Sequence, residues 1–412
     1  MIKIQKYGGT SVAFADQRRK IAKRIVENIN KEPQQKIVVV VSAMGRKGSP
    51  YATDTLLSLI QDYSNISNSK VDQLMSCGEA ISAVMLAAEI ESLGQECELL
   101  SGWNVGIITD DNFTDANILG VDTKNIEKAF ERSPVVVVTG FQGLAKSNKI
   151  TTLGRGGSDT TAVALGAALR AETVEIYTDV DGVMTADPKV VTNPRKIKEI
   201  SYEEIFEMAN AGAKVVHPRA VELAQSSSLP LHIKSSSDGE GTVIRDARSI
   251  GPIKERNLIT GIAEIGNLVQ VNVFFSKEDK ELELKLFKQI AKAGISIDLI
   301  NISPYTKTFT IKSQSKENLI TLLESLDLRY SLEEDCTKIT VVGVKMQGKP
   351  GVLSEVLEPL CADKIPILQT ADSHINISIL VKSFHARKSV SLLHSALIEN
   401  NVAHPMQQKV DL

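Results

Sequence analysis

The sequence predicts an α/β protein in which a mostly parallel sheet, with helices on both faces, precedes two smaller βαββαβ units. Short apolar runs alternate with helix-like stretches over roughly the first 245 residues, a pattern typical of parallel sheets. The composition then changes at SSSDGEG and the charged DARSIGPIKER, which indicates a boundary. Beyond it, a similar order of elements occurs twice, with a period of about 75 residues.

Apolar periodicity sets the elements of the first part. Strands are predicted at residues 2–5, 37–41, 135–138, 174–177 and 231–233. Helices are predicted at residues 16–30, 72–93 and 160–169. Gly94 is expected to end the second helix, and Ser158 or Asp159 to cap the third, because glycine suits C-terminal caps and short polar side chains suit N-terminal ones.

Four loops follow predicted strands and should meet at one edge of the sheet. They begin at Lys6, Ser42, Thr139 and Thr178. Because open α/β sheets bind ligands beyond the carboxyl ends of their strands, this edge is the expected binding site.

The two units of the tail share the order strand, helix, extended segment, strand, helix. In the first unit these elements are predicted at 268–275, 278–293, GISIDLINIS, 308–312 and a final helix. In the second they are predicted at 338–344, 352–362, KIPILQTADS, 376–381 and a final helix. Small domains of this shape often bind ligands or dimerise.

Composition narrows the class of protein. The 412 residues carry a net charge of −3, without a basic block for nucleic acid. Apolar runs such as 37–41 are too short to span a bilayer, and the N-terminus enters a strand rather than a signal peptide. Four cysteines are scattered without metal-ligand spacing. A cytoplasmic protein without nucleic-acid or membrane partners is expected.

The motif KYGGTS, residues 6–11, is a candidate phosphate loop. Glycines directly after a strand let backbone N–H groups face an anion, and Lys6 adds a positive charge. It is not a P-loop, in which the lysine follows the glycines. The alternative is a tight strand-to-helix turn without a ligand.

The motif GRGGSDTT, residues 154–161, is a candidate carboxylate site. Arg155 stands between glycines that permit close approach, and a guanidinium binds a carboxylate through two parallel hydrogen bonds. The alternative is an ordinary capped helix with an ion-paired arginine.

Acidic residues form a third group of candidates. Glu79 lies in an otherwise apolar helix, where a carboxylate needs a partner such as a ligand ammonium or a protein lysine. Asp179, Asp181 and Asp187 lie in TDVDGVMTADP, where they would bind a nucleotide or its metal, or form turns. Lys214 is a second candidate phosphate cation, whereas His217 and Trp103 are interpreted as packing residues.

Six motifs in this order resemble those of aspartate kinases with the amino-acid-kinase fold: KYGGTS, VVSAMG, SCGE, GFQG, TTLGRGGSDTTAVALGAAL and YTDVDGVMTADPKVV. The lengthened loop SAMGRKGSPYATD is most similar to the monofunctional Bacillus type. The tail resembles the two ACT regulatory domains of these enzymes. The resemblance implies a catalytic domain at 1–245, a linker at 246–257, and ACT domains at 258–330 and 336–412, whose last strand is able to pack into the first ACT unit.

The resemblance implies that ATP, with Mg²⁺, phosphorylates the side-chain carboxylate of L-aspartate. This reaction opens the biosynthesis of lysine, diaminopimelate, threonine and methionine. A carboxylate with a reference pKa of about 3.9 is already ionised at neutral pH, so no general base is needed. Catalysis then consists of positioning two anions and neutralising charge.

Site residues are carried over position by position, with Lys6, Arg155 and Asp159 at the reacting groups and no metal ligand from the protein. The ATP site implied by the resemblance comprises Lys6, Tyr7, Gly8, Gly9, Thr10, Ser11, Thr178, Asp179, Met184, Asp187 and Lys214. The aspartate pocket comprises Ser42, Thr53, Glu79, Phe141, Arg155, Gly156, Gly157, Ser158 and Asp159.

For the tail, the resemblance implies feedback control by an amino acid of the pathway and a homodimer formed through ACT domains. The candidate effector residues are Asp298, Asn301, Gln369 and Asn376. Diaminopimelate, lysine and threonine are the candidate effectors. The alternative is that the repeats only dimerise.

Two rival functions remain open. One is another amino-acid kinase of the same fold, such as a glutamate kinase; Arg155 with Glu79 favours an α-amino acid, and the ACT pair favours aspartate. The other is an inactive amino-acid sensor, which would be expected to have lost Lys6, Glu79, Arg155 or Asp159, all of which are present.

Overall fold

The computed structural model describes residues 1–213, 215–235, 239–250, 258–276, 279–344, 346 and 349–400. Its contacts divide the chain into two units. The first comprises Met1–Val183, Lys196–Ala209 and Lys214–Ile250, and the second comprises Met184–Arg195, Asn210–Ala213 and Gly251–Leu412. The segment Met184–Arg195, predicted as part of the catalytic domain, therefore packs with the tail.

The first part of the chain alternates strands and helices as predicted. Its elements are β1 (Ile2–Tyr7), α1 (Ala15–Lys31), β2 (Lys36–Val41), α2 (Thr53–Ser58), α3 (Asn68–Glu91), β3 (Glu98–Leu100), β4 (Ile107–Thr109), β5 (Ile118–Val121), α4 (Lys124–Ala129), β6 (Val135–Thr139), β7 (Gln142–Ala145), β8 (Ile150–Thr152), α5 (Gly157–Ala168), β9 (Thr173–Thr178), β10 (Glu199–Ser201), α6 (Tyr202–Asn210), α7 (Pro218–Ser226), β11 (Leu231–Ser235) and β12 (Thr242–Arg245).

The main sheet has eight strands in the order β10-β12-β11-β9-β1-β2-β6-β3. All neighbouring pairs are parallel except β11 and β12, which confirms a mostly parallel sheet. The pairs β9-β1, β1-β2 and β2-β6 are adjacent, so the four predicted ligand loops leave neighbouring strands at one edge. A separate four-stranded sheet, β5-β4-β7-β8, was not predicted because its strands are too short to show periodicity.

Helices cover both faces of the main sheet, as expected. On one face α1 and α3 pack through Ile21, Ile25 and Leu86 against Tyr7 of β1 and against alternate residues of β2 and β6. On the other face α5 lies directly on the strands: a Cβ added to Gly166 would come within 2.7 Å of the Val174 side chain. Glycine at this position therefore lets α5 approach β9 closely.

Helix α3 is long and apolar enough to cross a membrane by length and composition alone. Half of its most apolar window is buried inside the protein. Its buried residues include Asp72 and Glu79 as well as Leu86 and Ile90. The helix thus has the character of a core helix that carries two polar groups inward.

The tail contains the predicted strands and helices. Its elements are β13 (Ile259–Phe274), α8 (Lys280–Lys292), β14 (Asp298–Ile302), β15 (Thr306–Lys312), α9 (Lys316–Ser325), β16 (Arg329–Gly343), α10 (Val352–Ala362), β17 (Gln369–Asp372), β18 (Asn376–Lys382) and α11 (Ser383–His394). The strands form one sheet in the order β14-β15-β13-β16-β18-β17.

The two tail units share their central strands. Residues 268–274 of β13 pair with 329–336 of β16 in the first unit, whereas 259–265 pair with 338–343 in the second. The second tail unit thus takes its fourth strand, residues 259–265 of β13, from the start of the tail. Asn267 and Asp335 adopt positive φ where the register shifts between the halves. The predicted return of a last strand falls on residues 401–412, outside the described residues.

The segment Met184–Arg195 is bound into the second unit by specific contacts. Ala186 and Val191 belong to the core formed with α10 and α11. The Thr185 carbonyl accepts a hydrogen bond from the Ile262 backbone N–H at 2.7 Å, and the Thr185 hydroxyl lies 2.8 Å from Nε2 of the buried His394. The last helix of the tail and this segment therefore form one packed structure.

Candidate active site

The carboxyl edge of the main sheet is built by hydrogen bonds between the loops that leave it. The Gly8 N–H donates to the Tyr177 carbonyl at 3.2 Å, and the Ser42 N–H donates to the Tyr7 carbonyl at 3.2 Å. The Gly140 N–H donates to the Val41 carbonyl at 2.9 Å. The loops after β9, β1, β2 and β6 are thereby held side by side.

The glycine loop after β1 packs backbone against backbone. A Cβ on Gly9 would lie 2.5 Å from the Ala43 carbonyl and 2.7 Å from that of Gly45, so no side chain fits there. A Cβ on Gly8 would instead meet the Lys6 ammonium at 3.6 Å, an ordinary contact. Gly8 therefore leaves open space directly in front of Lys6, where an anion can approach.

Lys6 and Asp159 form an ion pair at this edge. Lys6 Nζ lies 2.7 Å from Asp159 Oδ1, and each side chain is 12% exposed. Asp159 and Ser158 lie in the first turn of α5, whose N-cap is Gly156 in the left-handed conformation. The predicted capping by Ser158 or Asp159 is wrong, because the helix begins earlier and leaves Asp159 available to Lys6.

Arg155 is presented outward by the turn before α5. Gly154 and Gly156 on either side both have φ of +69°, which a side chain would strain. A Cβ on Gly156 would also lie 2.2 Å from the His217 ring, so His217 packs against this turn as predicted. Arg155 is exposed, and no described residue donates or accepts a hydrogen bond with it. Its guanidinium is therefore accessible to a ligand.

Glu79 is a buried carboxylate held by neutral donors. Oε1 accepts a hydrogen bond from the Ala43 N–H at 3.1 Å, and Oε2 accepts a longer one from Gln142 Nε2 at 3.4 Å. Burial raises the pKa of Glu79 to about 8, although both hydrogen bonds oppose the shift. Among the described residues no cationic side chain pairs with it, so the site can accept a positive charge.

The remaining residues of the predicted aspartate pocket lie on the same loops. Phe141 has φ of +70°, and its N–H donates to the Thr161 hydroxyl at 3.0 Å, which ties the loop after β6 to α5. Gly157 is close-packed against the Phe141 ring. Ser42 is half-buried at the end of β2, and Thr53 is half-buried at the start of α2.

The predicted nucleotide residues divide between several places. Thr178 ends β9, and its hydroxyl donates to Asp179 at 3.1 Å; Asp179 also forms an exposed ion pair with Arg46 at 2.5 Å. The ring of Tyr7 is buried in the core and stacked on Tyr177, so its side chain does not face the edge. Thr10 is half-buried and Ser11 is buried in the turn after β1.

Three nucleotide candidates lie elsewhere. Met184 and Asp187 belong to the second unit, where the Asp187 carboxylate accepts a hydrogen bond from the Lys189 N–H at 2.8 Å. Lys214 lies outside the described residues. Trp103, predicted as a packing residue, is 61% exposed, so that prediction is wrong.

Sequence analysis missed two residues that position the site, Gln142 and Asp72. Gln142 links Glu79 to the Ser76 carbonyl, to which it donates at 2.8 Å. Asp72 is fully buried and accepts hydrogen bonds from Thr152 and from the Thr114 N–H, while burial raises its pKa. The available signal was a single polar residue in each segment, Gln142 in GFQG and Asp72 in α3.

The candidate effector residues lie in the second unit, three of them on the edge strands β14 and β17 of its sheet and Asn376 on the neighbouring β18. Asp298, at the start of β14, forms an ion pair with Lys338 of β16. Gln369, at the start of β17, donates to the Leu299 carbonyl and accepts from Gln270 at 2.9 Å. These two are brought together near the junction of the tail units. Asn301 is exposed, and Asn376 begins β18.

The chain matches two protein families along its length. Residues 1–235 match the amino acid kinase family, and residues 331–395 match an ACT domain. Aspartokinase 1 of Bacillus subtilis is 41% identical over 395 residues, which cover 95% of this chain and 97% of the relative. The aspartokinase of Geobacillus stearothermophilus is 38% identical over 403 residues, covering 95% and 96%.

Solved structures agree with the sequence relatives. Aspartokinase III of E. coli in complex with aspartate and ADP is similar with a TM-score of 0.76 and 26% identity, covering 96% of this chain and 100% of that one. The same enzyme in complex with lysine and aspartate gives a TM-score of 0.73 at 26% identity, covering 96% and 99%.

Proposed function

Because the chain belongs to the aspartokinase family, we propose that it transfers the γ-phosphoryl group of ATP to the side-chain carboxylate of L-aspartate, yielding ADP and 4-phospho-L-aspartate. The observation that carries this proposal is that a buried carboxylate, Glu79, and an accessible guanidinium, Arg155, lie on segments tied to the same strand edge. Glu79 accepts from the Ala43 N–H after β2, and the turn that carries Arg155 leads into Gly157, which packs on Phe141 after β6. The two groups match the ammonium and α-carboxylate of an α-amino acid.

The ion pair between Lys6 and Asp159 would join the two ligand sites. Asp159 would share the substrate ammonium with Glu79, and Lys6 would contact the phosphates across the open space at Gly8. Two anions must meet for this reaction, and Lys6 lies where negative charge would accumulate during transfer. Positioning and charge neutralisation then account for catalysis without a general base.

ATP would bind over the loops after β1 and β9, with contacts from Thr178 and Asp179. Met184, Asp187 and Lys214 stay nucleotide candidates on the resemblance alone. Within the described residues, no group of three or more His, Cys, Asp or Glu side chains could hold a metal ion. This fits Mg²⁺, which is usually held by substrate phosphates, water and one or two carboxylates. Asp179, exposed at the end of β9, is the described carboxylate that best suits this role. The ion would neutralise phosphate charge.

The tail would supply feedback control. We propose Asp298, Asn301, Gln369 and Asn376 as effector residues, a homodimer through the ACT units, and a cytoplasmic location. Diaminopimelate, lysine and threonine stay the candidate effectors, and lysine is supported by the solved complex of E. coli aspartokinase III with lysine and aspartate. The domain boundaries 1–245, 246–257, 258–330 and 336–412 stay a proposal, although the gap between the last two lies inside the continuous strand β16.

The deciding experiment is ATP- and Mg²⁺-dependent hydroxamate formation from L-aspartate in hydroxylamine, with lysine, threonine or meso-diaminopimelate added singly. Product from aspartate but not from glutamate is the expected result, with inhibition by one of the added amino acids. Product from glutamate would instead favour a glutamate kinase of the same fold. No product from folded protein that still binds those amino acids would favour the sensor.

Replacing Arg155 by Lys separates the two ligands. Lysine keeps the charge but loses the two-pronged hydrogen bonding, so kcat/KM for aspartate should fall by about 10–100-fold. The KM for ATP should change by less than about 3-fold. Steady-state kinetics with each substrate varied in turn would measure both, and equal losses would contradict the role given to Arg155.

A further inference from the structure

The turn that carries Arg155 is held on both sides by a segment distant in sequence. Before Arg155, the carbonyl of the buried Leu153 accepts a hydrogen bond from the Arg219 guanidinium at 3.2 Å. After it, the His217 ring packs against Gly156, where an added Cβ would come within 2.2 Å of that ring. His217 is the N-cap of α7 and Arg219 lies in its first turn. One short stretch of chain therefore supports the turn before and after Arg155.

Arg219 also ties the loop between β4 and β5 to this turn. Its two terminal nitrogens donate to the two carboxylate oxygens of Asp115 at 2.7 and 3.3 Å. Such two-pronged pairing fixes the orientation of both groups. Asp115 in turn lies against Gly154, because a Cβ added to that glycine would come within 2.4 Å of Asp115 Oδ1. A guanidinium, a carboxylate and a glycine are thus packed together immediately before Arg155.

Asp72 anchors the same loop to the helix that carries Glu79. Its carboxylate accepts hydrogen bonds from the Thr114 N–H at 3.0 Å and from the N–H and hydroxyl of Thr152 at 3.0 and 2.7 Å. Asp72 and Glu79 lie about two helical turns apart on α3 and are both buried. Hydrogen bonds and close contacts therefore connect the helix of Glu79 to the turn of Arg155.

These contacts determine where Arg155 is placed, although none of them is made to its side chain. Arg155 is exposed, and no described residue forms a hydrogen bond with it, so the position of its guanidinium depends on the backbone of its turn. A guanidinium binds a carboxylate best in a planar, two-pronged geometry. A small displacement of the turn should therefore weaken the binding of a carboxylate more than that of a neutral group.

We propose that Arg219 is a positioning residue, which fixes the Arg155 turn through Asp115 and the Leu153 carbonyl and so determines selectivity for substrates with an α-carboxylate. This inference rests on the role proposed above for Arg155. Arg219 itself is not a catalytic residue, because its guanidinium is already bonded to these two protein groups.

The test compares two substrates that differ only in the α-carboxyl group, L-aspartate and its α-amide, L-isoasparagine. Hydroxamate formation measures kcat/KM for each, and the ratio of the two values is the selectivity. In Arg219→Gln this ratio should fall by about 3–10-fold, as expected when a charged hydrogen bond is lost. The kcat/KM for isoasparagine and the KM for ATP should change by less than about 2-fold. Thermal unfolding should change little, since the Arg219 and Asp115 side chains are 38% and 57% exposed.

Arg132→Gln is the matched control. Arg132 forms the same kind of two-pronged pair, donating to the two carboxylate oxygens of Glu98 at 2.7 and 2.8 Å. It precedes β6, whereas the turn of Arg155 leads into Gly157, which packs on the loop after that strand. The control should therefore change the selectivity by less than about 1.5-fold.

A double variant shows whether the two partners act through one contact. Asp115→Asn keeps the shape of the side chain against Gly154 but weakens the pair, so the selectivity should fall by about 2–5-fold. Adding Asp115→Asn to Arg219→Gln should cause no further loss, because the contact is already broken. If Arg219→Gln does not fold, Asp115→Asn alone provides the test.

The proposal would be overturned by an unchanged ratio in Arg219→Gln, by an equal fall in Arg132→Gln, by equal losses with both substrates, or by additive losses in the double variant. A parent protein that forms no hydroxamate from aspartate would instead contradict the proposed function. The selectivity is then measured by calorimetry as the ratio of the two Kd values, with the same expected changes. Aspartate binding that is absent, or no tighter than isoasparagine binding, would overturn the inference as well.

Discussion

Two regions of the first unit bury a carboxylate in opposite ways. At the strand edge, Glu79 is held by the Ala43 N–H and Gln142, and burial raises its pKa to about 8. On the face under α1, burial would likewise raise the pKa of Glu175, but hydrogen bonds from Lys234, Gln5 and Tyr177 and the charge of Lys234 hold it below its ordinary value. Glu175 has Lys234 as its partner at 2.5 Å, whereas no cationic side chain among the described residues pairs with Glu79.

The difference separates structural from ligand-binding polar groups. A carboxylate whose partners all come from regular strands, as for Glu175, is satisfied before any ligand arrives. Glu79 is only partly satisfied, and a ligand ammonium would complete it. The Lys6–Asp159 pair, at 2.7 Å, resembles the Lys234–Glu175 pair in distance but lies beside the glycine loop. The comparison predicts that breaking the first pair affects catalysis, whereas breaking the second affects stability.

The largest expected effect follows from Lys6→Met. Removing the cation that faces the open space at Gly8 should lower kcat by about 10²–10³-fold, as for other preorganised electrostatic groups. Hydroxamate formation measures the rate, and thermal unfolding checks the fold. A loss below about 5-fold in folded protein would contradict the assignment of Lys6 to the reacting phosphate.

Lys234→Met tests the other side of the comparison. It leaves Glu175 buried without its cation, so the free energy of unfolding should fall by about 2–3 kcal/mol. The double variant Lys234→Met with Glu175→Gln should recover most of this loss, because no charge remains to be buried. Denaturant unfolding measures both. The rate per folded molecule should stay within about 3-fold, and a loss like that of Lys6→Met would erase the distinction between the regions.

Glu79→Gln should stabilise the ligand-free protein at high pH. Because the folded pKa of about 8 exceeds the unfolded value, the folded chain keeps a proton that the unfolded chain releases. Stability is therefore lost as pH rises from about 4.5 to 8. At pH 8 the variant should be more stable by about 1–2 kcal/mol, because it has no carboxyl group to ionise. The gain is limited because its amide leaves one hydrogen bond unmade. Denaturant unfolding across this pH range would reveal the difference.

Proton release checks the same prediction with the unmodified protein. If an aspartate ammonium pairs with Glu79, binding at pH 7 should expel close to one proton, because the free carboxyl is mostly protonated there. Calorimetry in buffers of different ionisation enthalpy measures that number. Glu79→Gln, studied at aspartate concentrations high enough to bind, should release none. Equal proton release by both proteins would place the titrating group elsewhere.

Local motifs predicted the strand edge well because each loop is determined by adjacent residues. Gly9 must be glycine where two backbones meet, and Arg155 is exposed by glycines on both sides. The chain pattern did not predict partners distant in sequence. The Lys6–Asp159 pair spans 153 positions, and no periodicity encodes it.

The tail shows the same limit. Alternation of apolar and polar residues predicted its strands. The placement of residues 259–265 in the second tail unit, however, depends on their pairing with β16 far along the chain. Similarly, Thr185 and His394 are 209 positions apart. Such contacts form when the helices and strands pack together, so they cannot be predicted from the sequence of one element alone.

The smallest expected effect concerns the exposed ion pair between Arg46 and Asp179, whose side chains are 70% and 50% exposed. Solvent screens such pairs, so Arg46→Ala should change the free energy of unfolding by less than about 0.5 kcal/mol. It also removes a positive charge next to Gly45, which packs on the glycine loop, so the KM for ATP should rise by about 3-fold at low salt, and this difference from the parent should shrink at high salt. Lys47→Ala, an exposed neighbour, is the control. A stability loss comparable to that of Lys234→Met would show that exposure does not govern the strength of these pairs.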